Sequence, residues 1–285
     1  VSFATKLMSE TQKKGLVSEL RSEYEQVRER RRDKKPNARE ISFQQAREKA
    51  FKFDWAKYQP PKPAFTGSRI FANYSLAELV DYIDWTPFFI SWELAGKYPD
   101  ILSNKIVGEA AAQLFKDAQS MLKTIIKKGQ IQARAVIGFF PAMRTGPEEI
   151  TLFEDDEKTR PLTRLAQLRQ QSDRGAGNPN YCLADFIAPK ESGIADYIGA
   201  FVVTAGIGAE QLAESFEETQ DDYNSIMVKA LADRLAEAFA ERMHERVRKE
   251  FWGYAKEENL ECASLIKEKY QGIRPAPGYP ACPDH

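Results

Sequence analysis

Residues 272–283 are the stretch whose composition most clearly suggests binding chemistry, because it contains four prolines. Proline fixes φ and removes a backbone donor, so the spacing predicts a stiff, extended ribbon instead of a helix or a sheet interior. Within it, Arg274 offers a planar guanidinium suited to a carboxylate, Gly278 permits close backbone approach, and Tyr279 offers an aromatic face for a ring or a sulfonium. Two interpretations stay open, a binding ribbon and a surface tail.

A second candidate is Asp84, which stands among aromatic residues in the segment 82–89. A carboxylate in such surroundings costs free energy unless it is paired. We therefore expect Asp84 to meet a cation, either an Arg or Lys of the protein or the ammonium group of a ligand. Composition does not choose between these partners.

Acidic residues recur four apart on the last long predicted helix, at Asp233, Glu237 and Glu241. Residues at this spacing share one face of a helix. The pattern fits a solvated face whose charges are balanced by neighbouring bases, and it also fits a docking surface.

The sequence gives weaker support to metal binding, to nucleophilic catalysis and to dinucleotide binding. His244 lies among charged residues, so we expect it to face solvent, and without a second His or Cys at ligand spacing we expect no metal site. With two histidines in the chain, no Ser-His-Asp or Cys-His arrangement can be assembled. Gly206 and Gly208 follow a predicted strand but lack the third glycine of a dinucleotide loop, which predicts a strand-to-helix turn.

Charge and composition narrow the function classes. The 285 residues carry 41 Lys and Arg against 42 Asp and Glu, which disfavours a global field that attracts nucleic acid or an anionic membrane. The charged segment 28–36 is interrupted by acids, so we interpret it as a solvated linker, with a nucleic-acid patch as the alternative. Three widely spaced cysteines, without a C-x-x-C pair, suggest a reducing cytoplasm, and no apolar run is long enough to span a bilayer.

The hydrophobic patterning predicts elements of both kinds. Few strands, unevenly separated by helices that gather late in the chain, indicate an α+β fold and not a doubly wound sheet. Strands are predicted at 68–73, 133–140, 149–153 and 196–204, and helices at 3–32, 43–49, 76–82, 107–128, 162–171, 210–218 and 223–254.

Several motifs, in order along the chain, together resemble the reactivation domain of cobalamin-dependent methionine synthase. The resemblance is collinear from about residue 35 onward. The segments that carry it are 82–89, 94–99, 181–186, 222–224, 238–248 and 272–283.

The resemblance implies an architecture. We expect a single C-shaped α+β domain over residues 35–285, with a bent antiparallel sheet and peripheral helices, preceded at 1–34 by a helical connector from the cobalamin-binding module. Family members continue past the end of this sequence with further strand and helix, so the domain is expected to be C-terminally incomplete, with lowered or lost ligand affinity.

It also implies a function. The whole enzyme is a methyltransferase that moves a methyl group from methyltetrahydrofolate to homocysteine through cobalamin, which is held by a neighbouring module. The reactivation domain presents S-adenosylmethionine for reductive methylation of inactive cob(II)alamin, while a flavodoxin-type protein donates an electron. Zinc is expected only in N-terminal modules outside this sequence.

Residue roles follow from the same motifs. Arg274 is expected to grip the carboxylate of S-adenosylmethionine and Asp84 its ammonium, while the backbone around Ala276 and Gly278, with Tyr279, holds the rest. Asp233 and Glu237 are expected to face the cobalamin module. A rival interpretation is a flavodoxin-docking module that has lost the ligand through truncation, and a third, an independent methyltransferase, is disfavoured by the missing Gly-rich turn.

Overall fold

A computed structural model of the chain describes residues 8–32, 40–276, 278–279 and 281–282. Its residues form two compact units. The first comprises Val1–Ala50 with Gln170–Asn180, and the second comprises Phe51–Arg169 with Tyr181–His285. The boundary that the sequence suggested, between residues 34 and 35, lies outside the described residues and stays a prediction.

The first unit is mainly helical. Helix α1 spans Glu10–Arg32, and Leu16 is the one buried residue among those of α1 whose side chains are described. The short helix α2, Phe43–Glu48, begins with a capping box in which the Gln45 amide donates to Ser42 Oγ and the Ser42 amide to Gln45 Oε1, at 3.2 and 3.0 Å. Ser42 is therefore the N-cap residue of α2, and the helix predicted at 43–49 is confirmed.

The second unit contains the sheet and most helices. Its α-helices are α3 (Trp85–Ser91), α4 (Gly108–Lys128), α5 (Ala209–Glu217), α6 (Asp222–Arg246) and α7 (Cys262–Leu265). Its strands are β1 (Gly67–Tyr74), β2 (Gln132–Gly146), β3 (Glu149–Phe153), β4 (Pro161–Ala166) and β5 (Asp196–Ile207). Five short 3-10 turns add Trp55–Lys57, Leu76–Tyr82, Asp100–Ser103, Leu183–Phe186 and Lys190–Ser192.

Strand β2 organises an entirely antiparallel sheet. Its first half pairs with β1 and its last residues pair with β3. Strand β5 pairs with most of β2, and β4 pairs with β3 and so extends the sheet. Register shifts interrupt the ladders that β2 forms with each of its three partners. Such irregularities increase local twist and bend a sheet. The α+β class with an antiparallel sheet is confirmed.

The core lies between this sheet and α6. Alternate residues of β2 are buried, including Ile137 and Phe139, as expected for a strand with one covered face. Five apolar residues of α6 recur in steps of four and are all buried, namely Met227, Leu231, Leu235, Phe239 and Met243. Burial of side chains of this size contributes about 2 kcal/mol each, so this stripe fixes the face that α6 turns to the sheet.

A second, smaller core lies under the β2–β3 hairpin and is held by a buried ion pair. Arg169 donates to both oxygens of Asp185 at 2.7 Å and to Glu148 at 2.9 Å, and the Arg169 and Asp185 side chains are each 1% exposed. Removing either partner of such a buried bidentate pair would leave an uncompensated charge and destabilise the fold.

Two sequence predictions of secondary structure are wrong. The predicted helix at 162–171 is strand β4 over its first part, where Leu165 pairs with Ile150 of β3. Leu162 and Leu168 are both exposed, so burial of a helix face does not compete with main-chain pairing to β3. The long helix predicted to reach residue 254 becomes a π-helical turn at Val247–Phe251 and ends before Gly253, whose φ is 78°.

Candidate functional site

Asp84 lies at the start of α3 and caps it. Its Oδ1 accepts a hydrogen bond from the Thr86 amide at 2.9 Å, and the residue is half-buried. Among the ion pairs between described residues, none involves Asp84. Helix-capping residues of this type keep a negative charge at the partly positive N-terminus. The aromatic residues Trp85 and Phe88, which follow Asp84 in α3, are buried.

Arg274 forms an ion pair with Glu241 of α6. Arg274 Nη2 donates to Glu241 Oε1, and the two side chains are 25% and 18% exposed. Burial raises the pKa of Glu241, against the lowering effect of Arg274. Glu241 Oε2 and Arg274 Nε are buried without hydrogen-bond partners in the described part of the chain. The pair therefore uses a single hydrogen bond where a carboxylate and a guanidinium can form two.

The pKa of the Cys262 thiol is affected both by Asp84 and by Glu241 of this pair. Burial raises the pKa of Cys262, and the negative charges of Asp84, Glu241 and Asp81 raise it further. Electrostatic effects of this kind require proximity. Asp84 and Glu241 are therefore both within electrostatic range of the Cys262 thiol, although they are far apart in sequence.

Behind Arg274 lies a buried polar cluster, consisting of His244, Arg248, Glu258 and Tyr270. Arg248 is fully buried, donates from Nε to both oxygens of Glu258 at 3.0 Å, and places its guanidinium 4.3 Å from the centre of the Tyr270 ring. The His244 ring meets the same Tyr270 ring edge-on at 4.7 Å. These contacts join α6 to the segment that leads into the ribbon.

The prediction that His244 faces solvent is wrong. The residue is 4% exposed, and burial, with the charges of Arg248 and Arg274, lowers its pKa to about 3. The charged neighbours that suggested exposure are themselves folded inward, Arg248 among them. The signal that could have shown this is spacing, because Glu241, His244 and Arg248 lie three or four apart and therefore share one helix face.

The remaining ribbon residues form an exposed turn. Gly278 has φ 92°, Ala276 is exposed, and Tyr279 is 50% exposed. The Tyr279 amide donates to the Ala276 carbonyl at 3.1 Å, and the Gly278 amide to the Cys282 carbonyl at 2.9 Å. No helix forms among the described residues from 272 onward, as the prolines predicted, but these hydrogen bonds close a turn, so the predicted extended ribbon is wrong for this part of the segment. Tyr279 stays accessible.

The two acids proposed to face another module lie farther along α6. Asp233 and Glu237 are exposed, and Asp233 pairs with Arg234. Asp233 also lines an open depression of about 430 Å³, together with Gly206, Ala209 and Lys229. Glu237 contributes to the raised pKa of Glu241, which places it next to the ion pair. The acidic face of α6 therefore runs from this depression to Arg274.

The described residues contain neither a metal-binding cluster nor a membrane-spanning helix. No group of three His, Cys, Asp or Glu side chains in that part of the chain is placed to hold a metal ion. Within the same residues, no helix has the length and apolarity needed to cross a membrane.

Comparison with known proteins identifies the family. Residues 75–285 match the family described as vitamin B12 dependent methionine synthase, activation domain. The fold is similar to a crystal structure of the MetH reactivation domain bound to AdoHcy, with a TM-score of 0.81, 54% sequence identity, and coverage of 86% of this chain and 74% of that one. A match over most of the chain confirms the resemblance drawn from the motifs. The chain therefore belongs to the family of activation domains of vitamin B12-dependent methionine synthases, which are methyltransferases.

Proposed function

We propose that this chain binds S-adenosylmethionine and its demethylated form, S-adenosylhomocysteine, and supports the reactivation of oxidised cobalamin in a methionine synthase. The observation that carries the proposal is the 54% identity to a MetH reactivation domain that was crystallised with AdoHcy. The whole-enzyme reaction, methyl transfer from methyltetrahydrofolate to homocysteine, belongs to the same proposal.

The donor and acceptor groups around Arg274 fit the amino-acid end of such a ligand. Arg274 keeps a quarter of its side chain exposed, so N–H donors remain for the α-carboxylate. Asp84 offers a half-buried carboxylate for the α-ammonium. The backbone near Ala276 and Gly278, with the exposed ring of Tyr279, would hold the nucleoside portion.

The work of the protein in this function is positioning. When bound, S-adenosylmethionine supplies an electrophilic methyl group to reduced cobalamin held by the neighbouring module. Arg274 and Asp84 would bind the carboxylate and the ammonium of the ligand, so that the remainder of the ligand is held in one orientation. Since alignment alone can lower a barrier by several kcal/mol, about 7 in favourable cases, no side-chain acid or base has to act.

The partners follow from the module order of the family. We propose that Asp233 and Glu237 face the cobalamin-binding module of the same polypeptide, that residues 1–34 connect to it, and that residues 35–285 are the ligand-binding domain. A flavodoxin-type reductase in the cytoplasm would supply the electron. Support comes from the exposure of both acids on one face of α6.

A second candidate function is flavodoxin docking without ligand binding. The observation in its favour is that Arg274 is already paired with Glu241. It predicts salt-sensitive binding to flavodoxin, because the exposed acids of α6 would act through screened charge, and no heat on titration with S-adenosylhomocysteine.

Calorimetry with S-adenosylhomocysteine tests the proposal. We expect wild type to bind and Arg274→Ala to bind at least about 30-fold more weakly, since a charged hydrogen-bonded contact is worth about 2 kcal/mol or more. Asp84→Asn should also weaken binding, while its amide still caps α3 and preserves the melting temperature. Arg246→Ala is the matched control, because Arg246 is 20% exposed and pairs with Glu250. Equal affinities of wild type and Arg274→Ala would refute the role of Arg274.

A further inference from the structure

The Glu241–Arg274 contact leaves complementary groups unused. Arg274 Nη2 is bonded to Glu241 Oε1, whereas Arg274 Nε, a donor, and Glu241 Oε2, an acceptor, are both buried and unpartnered in the described part of the chain. An arginine can present Nε and one amino group side by side to the two oxygens of a carboxylate. The contact therefore contains the groups for a second hydrogen bond but makes only one.

Glu241 also provides the negative charge that balances Arg274. The other nearby cation, Arg248, is already neutralised by Glu258, to which it donates at 3.0 Å. Arg274 acts to lower the pKa of the Tyr270 phenol, which burial raises, and His244 is neutral near neutral pH because its pKa is lowered to about 3. Glu241 is therefore the carboxylate partner of Arg274 in this cluster.

Glu241 and Arg274 lie in different kinds of secondary structure. Glu241 lies on α6, next to residues whose apolar side chains are buried in the core, whereas Arg274 lies in irregular chain. A free arginine side chain has about 2 kcal/mol of rotamer entropy to lose on binding. A partner on a rigid helix can remove most of that freedom before the ligand arrives.

We propose that Glu241 is a positioning residue for Arg274: its hydrogen bond to Nη2 holds the guanidinium and thereby presents the exposed remainder to the ligand carboxylate. This inference rests on the proposed function, because it concerns the same ligand. It predicts that Glu241 acts on the amino-acid end of the ligand alone and acts through Arg274.

The first test compares two ligands. Glu241→Gln should bind S-adenosylhomocysteine about 10-fold more weakly than wild type, which corresponds to about 1.4 kcal/mol. Its affinity for methylthioadenosine, which lacks the amino-acid end, should not change. Glu245→Gln is the matched control, since Glu245 is a similarly buried acid of α6 that pairs with Arg242 instead, and it should bind both ligands as wild type does.

The outcomes separate the possible roles of Glu241. Unchanged or tighter binding of S-adenosylhomocysteine by Glu241→Gln would overturn the proposal, because Glu241 would then be idle or a competitor for Arg274. Equal weakening for both ligands would overturn it as well, since that is a general structural defect. In an Arg274→Ala background, the Glu241→Gln effect should vanish, and its persistence would show that Glu241 does not act through Arg274.

A measurement without ligand keeps this inference separate from the proposed function. In proton–nitrogen correlation NMR of the free protein, the Arg274 Nε–H signal should be sharp in wild type and broadened in Glu241→Gln. The Arg248 Nε–H, bonded to Glu258, provides an internal control that should stay sharp in both. If this signal does not respond to the substitution, the positioning role fails even where the ligand binds. If the signal responds but wild type binds no S-adenosylhomocysteine, the proposed function fails instead.

Discussion

The ionisable residues of α6 and of the π-helical turn after it differ widely in burial. Asp233 and Arg248 both lie on the same helical stretch, yet Asp233 is exposed and Arg248 is fully buried against Glu258. His244 shows the effect most strongly, since its pKa falls to about 3. Buried groups of this kind link folding to pH, because the unfolded chain restores their ordinary pKa.

The linkage predicts a measurable acid sensitivity from His244. Its folded pKa is lowered from 6.5, so between pH 6.5 and about pH 3 the unfolded state binds the proton more tightly, and stability falls as pH falls. Between about pH 7.5 and about pH 5, this residue should account for a loss of about 2 kcal/mol. Urea denaturation should show that loss in wild type and a smaller one in His244→Phe. Identical pH slopes in the two proteins would contradict the prediction.

At the scale of elements, the turn between β5 and α5 depends on one glycine. Gly208 has φ 93°, and a Cβ placed there would lie 2.6 Å from the Gln130 carbonyl oxygen. The sequence predicted a strand-to-helix turn at Gly206 and Gly208, and the end of β5 at Ile207 and the start of α5 at Ala209 confirm it.

The two glycines of this turn provide a matched pair of variants. Gly208→Ala should lower the free energy of unfolding by about 2 kcal/mol or more, since it combines a left-handed backbone with a clash against main chain. Gly206→Ala should cost far less, because its Cβ would meet the nearest atom, Ala232 Cβ, at 3.9 Å. Chemical denaturation of both variants measures this difference. Equal losses would show that the turn does not require the left-handed conformation.

At the scale of the whole molecule, α6 joins the proposed ligand site to the proposed docking face. Its acids at 233 and 237 are exposed, and Glu241 holds Arg274. If the first two serve docking, their charge should matter for association and not for ligand affinity, since exposed charges act at a range of about 10 Å at ordinary salt.

This arrangement predicts that one double variant weakens association with the cobalamin-binding module without changing ligand affinity. The double variant Asp233→Asn with Glu237→Gln should weaken association with a separately supplied cobalamin-binding module by about 10-fold near 0.05 M salt, and less near 0.3 M. Affinity for S-adenosylhomocysteine should stay at the wild-type level. Glu109→Gln with Glu218→Gln removes the same charge from exposed positions elsewhere and serves as the control. A loss that is equal in both double variants would point to net charge instead of a docking face.

The amino-acid sequence by itself determined the α+β class, the buried stripe of α6, the turn at Gly208 and the family. These features depend on local periodicity, on glycine and proline geometry, and on motif order, all of which can be recognised along the chain. The roles of Asp84, Arg274, Ala276, Gly278 and Tyr279 stay predictions.

Only the tertiary structure decided that β4 is a strand, that His244 is buried, and that Arg274 pairs with Glu241. Strand β4 forms because β3 offers it main-chain partners, and the Arg274–Glu241 pair joins residues 33 positions apart. Such contacts arise where distant parts of the chain meet, and burial there changes the free energy of charge and the preferred backbone conformation. Local patterns do not show which distant segments meet, so spacing alone could not predict strand β4 or the Arg274–Glu241 pair, whereas the burial of His244 left a partial signal in its spacing from Glu241 and Arg248.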